Sequence, residues 1–126
     1  MDAPARERTE RYISARYHNP SWQLLASRRA PLVLGCLQTL FEQAHDGIAM
    51  EDALQALAEM LAEHANHADY EIDVDQAPQQ ARRELSSWIK RALIVERQGR
   101  LYQTDALEAA LRFVEGLDNR IMTSTA

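Results

Sequence analysis

The chain has 126 residues, enough for one domain that buries most of its apolar surface, and an apolar content of 46% argues against disorder of the whole. A net charge of −5 makes it a poor general binder of phosphate, and a single cysteine, Cys36, excludes an internal disulfide framework. No window approaches the roughly 20 apolar residues that a membrane span needs, and the first eight residues lack the apolar run of a signal peptide. A cytoplasmic protein is therefore expected.

The charge is unevenly spread. Residues 1–30 carry six Arg against three acids, residues 31–80 carry ten acids and no Lys or Arg, and residues 81–100 carry six Lys/Arg against two Glu. Any polyanion contact would have to use the third block, while acidic and basic blocks on solvated faces are the plainer reading.

Residues 6–18 read as a charged helix, an arm whose few apolar residues are Tyr12, Ile13 and Tyr17. Asn19-Pro20 starts a helix to about Arg28, since Asn caps well and Pro suits the first turn; Trp22 and Leu25 are its expected buried residues, with Leu24 as a further candidate. Ala30-Pro31 starts the next, to Gln43, with Val33, Leu37, Leu40, Phe41 and Ala44 on one face. Gly35 inside it suggests a close helix crossing, and Gly47 a left-handed cap. A helix over 50–66 places Met50, Leu54, Leu57, Leu61 and Ala65 on one stripe and Glu51, Asp52, Glu59 and Glu63 on the other side. Residues 67–77 lack helical period and read as a loop, with room for a short strand at Tyr70, Ile72 and Val74.

Pro78 opens a helix with the apolar stripe Ala81, Leu85, Trp88, Ile89, Ala92 and Leu93. Two strand-like runs, 93–97 and 100–103, flank Gln98-Gly99 and predict a β-hairpin. Thr104 then caps a last helix, 105–120, lined by Leu107, Ala110, Leu111, Val114, Leu117 and Ile121 at nearly heptad spacing. Helices, a hairpin and a further helix make the expected fold mainly α, a winged-helix domain. Its parts are an arm over 1–18, the winged helix over 19–104 with its wing near 93–103, and a post-wing helix over 105–126. The expected core includes Trp22, Leu37, Phe41, Leu57, Leu85 and Trp88.

Chemistry finds little support. His64 and His67 could share a metal only if Glu63, Asp69 or a remote acid completed the set. Cys36 with His45 and Asp46 would be a nucleophile pair only if the thiol were not packed. No phosphate loop, GxSxG or CxxC is present. The expectation is a binding protein, with no enzymatic activity, metal or cofactor. Arg82, Arg83, Lys90 and Arg91, with Arg97 and Arg100 at the wing, are the candidate weak DNA contacts. The acids of the preceding helix, Glu51, Asp52, Glu59 and Glu63, oppose a duplex laid across it, so protein partners are favoured.

Asn19-Pro20-Ser21-Trp22-Gln23-Leu24-Leu25 and Arg29-Ala30-Pro31-Leu32-Val33-Leu34 resemble the opening of the JetA kleisins of bacterial Wadjet systems, relatives of MukF and MksF. Thr104-Asp105-Ala106-Leu107-Glu108-Ala109-Ala110-Leu111-Arg112-Phe113-Val114-Glu115-Gly116-Leu117 is similar to that family's helix after the wing, and Trp88 to its tryptophan before the wing. Asp105 stands where proline is commoner, and Ala49 where a Ser or Thr cap is usual. Family members are several times longer, so the chain reads as the N-terminal part of one.

The resemblance implies a non-catalytic domain of an anti-plasmid SMC complex. Such a kleisin dimerises through its N-terminal region, bridges SMC ATPase heads and recruits a small accessory winged-helix subunit; ATP hydrolysis and DNA cleavage belong to other subunits. Leu107, Leu111, Phe113, Val114, Leu117 and Ile121 are the candidate interface, with DNA met weakly or indirectly near the nucleoid or plasmid. The alternative is a winged-helix transcription regulator reading DNA with Arg82, Arg83 and Lys90.

Overall fold

A computed structural model describes the backbone of residues 3–124 and the side chains of residues 3–117. Six helices and three short strands follow in order: α1 (Pro4–His18), α2 (Pro20–Leu25), α3 (Ala30–Phe41), β1 (Ile48–Ala49), α4 (Met50–Glu63), α5 (Ala77–Lys90), β2 (Ile94–Arg97), β3 (Arg100–Gln103) and α6 (Asp105–Ser124). The chain is thus mainly helical, with one antiparallel sheet of order β1-β3-β2. No helix among the described residues is long and apolar enough to cross a membrane.

The core is laid down by α3, α4 and α5. Leu57 and Leu61 of α4 meet Ala81, Leu85 and Trp88 of α5, and Val33, Cys36 and Leu37 of α3 complete the cluster. Leu37, Phe41, Leu57, Leu85 and Trp88 are all buried. Trp22 is not: it is 40% exposed, and Leu24, one residue pair further along the short α2, takes the buried place. A helix of six residues has too few apolar positions for its period to choose between them. The indole N–H of buried Trp88 meets no acceptor among the described residues.

An ion pair missed in the sequence fixes how α3 and α5 meet. Arg29, just before α3, reaches Glu84 of α5 at 2.6 Å, and Glu84 is the buried charged residue of the core. Removing one partner of such a pair strands a desolvated charge, which is far costlier than losing a surface bridge.

Local signals mark the other junctions. Asn19 accepts from the Trp22 amide at 3.0 Å and so caps α2. The two-residue loop Gln98-Gly99 has positive φ at both positions, as a tight hairpin turn whose twist matches its strands requires. Gly47, with φ of +76°, lies beside the sheet instead of capping a helix. A Cβ on it would sit 2.8 Å from the Leu101 carbonyl oxygen, so only glycine lets this segment approach β3. Gly35 has no such role, because a Cβ there would meet nothing within 4 Å. The 67–77 segment contains a single 3-10 turn, Val74–Gln76, and no strand; it is anchored by buried Ile72.

The end of α5 is unusual. The Leu93 amide donates to the Trp88 carbonyl at 3.0 Å and the Ala92 amide to that of Ile89 at 3.1 Å, the paired bonds of a Schellman ending. Its left-handed position is held by Ala92, with φ of 61°, where glycine is usual. Thr104 locks this ending to α6: its hydroxyl lies 2.7 Å from the Ala92 carbonyl oxygen and 3.0 Å from that of Leu93, and accepts from the Leu107 amide. Left-handed backbone costs a residue with a Cβ about 1–2 kcal/mol, partly offset by the greater freedom glycine has when unfolded. Ala92→Gly should therefore stabilise the chain by about 0.5–1 kcal/mol. The urea midpoint should rise with the slope unchanged; a lower midpoint would contradict this reading of the helix ending.

Candidate functional site

Two surfaces stand out, one apolar and one basic. The apolar one lies where α2 crosses α6. Ser21 donates to the Ala106 carbonyl at 2.6 Å, so the two helices are held close near their N-termini. Small residues, Ala26, Ala109 and Ala110, keep the space between them open. Trp22, Leu25 and Phe113 stand around it, and the resulting groove has a volume of about 450 Å³. Phe113 is 57% exposed, Leu117 one turn further is exposed as well, and the Tyr12 ring of α1 lies 6.2 Å from that of Trp22. Contiguous exposed aromatics of this kind mark interaction surfaces on folded proteins.

The groove redraws the interface expected on α6. Leu107 is fully buried and Leu111 nearly so, because that stripe faces the protein's own core; Val114 is half-buried. Phe113 and Leu117 remain available, and Ile121 lies outside the described side chains. Heptad-like spacing cannot tell a stripe that packs within the chain from one that packs between chains. Trp22, expected in the core, and Tyr12 join the surface instead; the signal was their place on a polar arm and a six-residue helix, neither able to bury a large ring alone.

The basic surface is the outer face of α5. Since Ala81, Leu85 and Trp88 point inward, Arg82, Ser86 and Lys90 at intervals of four point outward with Arg83, Ser87 and Arg91. Those six residues line one shallow depression of about 530 Å³. The two wing arginines do not join it in the same way. Arg100 donates to the carbonyl oxygens of Asp46 and Gly47 at 3.1–3.2 Å, clamping the segment before β1 onto the hairpin. Arg97 lies 6.0 Å from the centre of the Tyr102 ring.

Of the four acids of α4, Glu51 and Asp52 are exposed in its first turn. Glu59 and Glu63 line a separate cleft with Gly35, Cys36, Thr39 and Met60, on the side where α4 meets α3.

The remaining candidates for chemistry are otherwise engaged. The Nδ1 of His64 lies 2.8 Å from the Met60 carbonyl oxygen, and the described residues contain no cluster of three potential metal ligands. Cys36 is buried, and burial, reinforced by Glu84 and Glu63, pushes its thiol up from 9.0 to about 11. Thiolate is the reactive species, so Cys36 is a packed thiol. The folded chain holds its proton where the unfolded chain would lose it. This contribution to stability is complete below about 9.0 and lost as pH climbs toward 11. An aromatic disulfide reagent at mildly alkaline pH should leave Cys36 untouched in the folded chain and titrate it fully in denaturant; rapid reaction of the native protein would show the thiol to be accessible.

A mainly helical domain with a small sheet, one apolar groove and one basic helix face is the class of protein these features define. The chain belongs to the family described as Protein of unknown function (DUF3375), whose model matches residues 14–126. No curated protein matches it significantly.

Proposed function

We propose that this chain is a winged-helix interaction domain, the N-terminal dimerisation and SMC-binding domain of a JetA-like kleisin in a bacterial anti-plasmid complex. The observation that carries this reading is the composition of the apolar groove. Its two walls, α2 and α6, are the two segments that resemble the kleisin opening and the kleisin helix after the wing, although 85 residues separate the bonded pair Ser21 and Ala106. The element order supports the winged-helix reading: a helix, a short strand, two helices, a hairpin and a closing helix, with β1 pairing along β3. The occupant of the groove is a second copy of the chain, and the SMC ATPase and the small accessory winged-helix subunit are the further partners. Catalysis belongs to those other subunits.

A free-standing DNA-reading regulator is the alternative. It has less support, since Arg100 of the wing is committed to backbone carbonyls and base-reading would fall to α5 alone.

Light scattering at micromolar concentration should give about twice the chain mass. Trp22→Glu combined with Phe113→Glu should return a monomer with an unchanged far-ultraviolet spectrum, because both side chains lie outside the buried core. A wild-type chain that stays monomeric to millimolar concentration would contradict the proposal.

A further inference from the structure

We infer that the outer face of α5 is a contact surface for the phosphate backbone of duplex DNA, independent of sequence and separate from the apolar groove. Four cations and two hydroxyls, Arg82, Arg83, Lys90, Arg91, Ser86 and Ser87, line the depression, and none of the six is acidic. From Arg82 to Arg91 the face extends about 13 Å along a rigid helix, and B-DNA offers a charge for each roughly 1.7 Å of its axis. Every side chain on this face can donate a hydrogen bond, which suits an acceptor-only phosphate.

Arg83 is shared with a neighbouring depression that Asp69 and Glu71 also line, whereas Arg82, Lys90 and Arg91 line only the basic one. Glu84, the acid within α5, is turned into the core and held by Arg29 at 2.6 Å. Glu59 and Glu63 open onto the cleft between α3 and α4. The choice of nucleic acid over an acidic protein follows from the lining. Protein partners draw most of their affinity from aromatic and arginine anchors seated in well-packed pockets, and this depression is open and has no aromatic side chain. Arg, Lys and Ser are the side chains that fix a protein's position on a phosphate backbone.

The test is fluorescence anisotropy of the whole chain with two labelled linear duplexes of unrelated sequence across a range of salt. Both should bind alike and weakly, with a log–log salt slope no steeper than about −3.6, four contacts at 0.9 each. Arg82→Ala with Arg83→Ala should flatten the slope by about 1.8. Lys90→Gln with Arg91→Gln should do the same, and each pair should leave the oligomeric state unchanged. Arg6→Ala with Arg8→Ala on exposed α1 should leave affinity and slope as they are. The inference is overturned if neither α5 pair changes binding, or if the α1 pair weakens it equally. It is also overturned if one duplex is strongly preferred, or if polyglutamate displaces DNA at equal charge.

Discussion

The seating of α5 on α4 organises the molecule. Ala81, Leu85 and Trp88 go into the shared core against Leu57 and Leu61, and once that stripe is buried the opposite face of α5 has nowhere to go but water. The same seating brings Glu84 under Arg29, which orients α3, and puts the left-handed Ala92 where Thr104 can bind it, which launches α6. A rotation of α5 by one position would break the ion pair, bury arginines and detach the hairpin. Burial supplies the driving force, and the buried carboxylate makes other registers expensive.

Two surfaces of opposite character result, and they lie on different elements. The basic face belongs to α5, whereas the groove is assembled from α2 and α6. A self-associating domain with its cations elsewhere could present two copies of the basic face at once, and linked copies raise effective concentration without any new contact.

Much of this was legible in local sequence. Helical periods, Asn19-Pro20, Gln98-Gly99 and Thr104 located α2, α4, α5, the hairpin and α6 because each signal acts within a few residues. What was hidden depended on distant chain. Strand β1 has two residues, too few for an alternating pattern, and exists because Gly47 lets the chain approach β3. Arg100 looked like a wing cation until its guanidinium met carbonyls more than fifty residues upstream. Trp22 resembled a core residue because its exposure is decided by α1 and α6. The inward turn of Leu107 and Leu111 was equally invisible, since the same spacing serves either kind of packing.

The most direct test of self-association through the groove uses Trp22 as its own reporter. The chain has two tryptophans, and Trp88→Phe removes the buried one, whose N–H meets no acceptor among the described residues, leaving Trp22. Emission from Trp22 should shift to shorter wavelength, and iodide quenching should fall, as the concentration of this variant is raised through the association range. An emission maximum that stays red and fully quenchable while scattering reports a dimer would mean that the chain associates elsewhere and that the groove is not the interface.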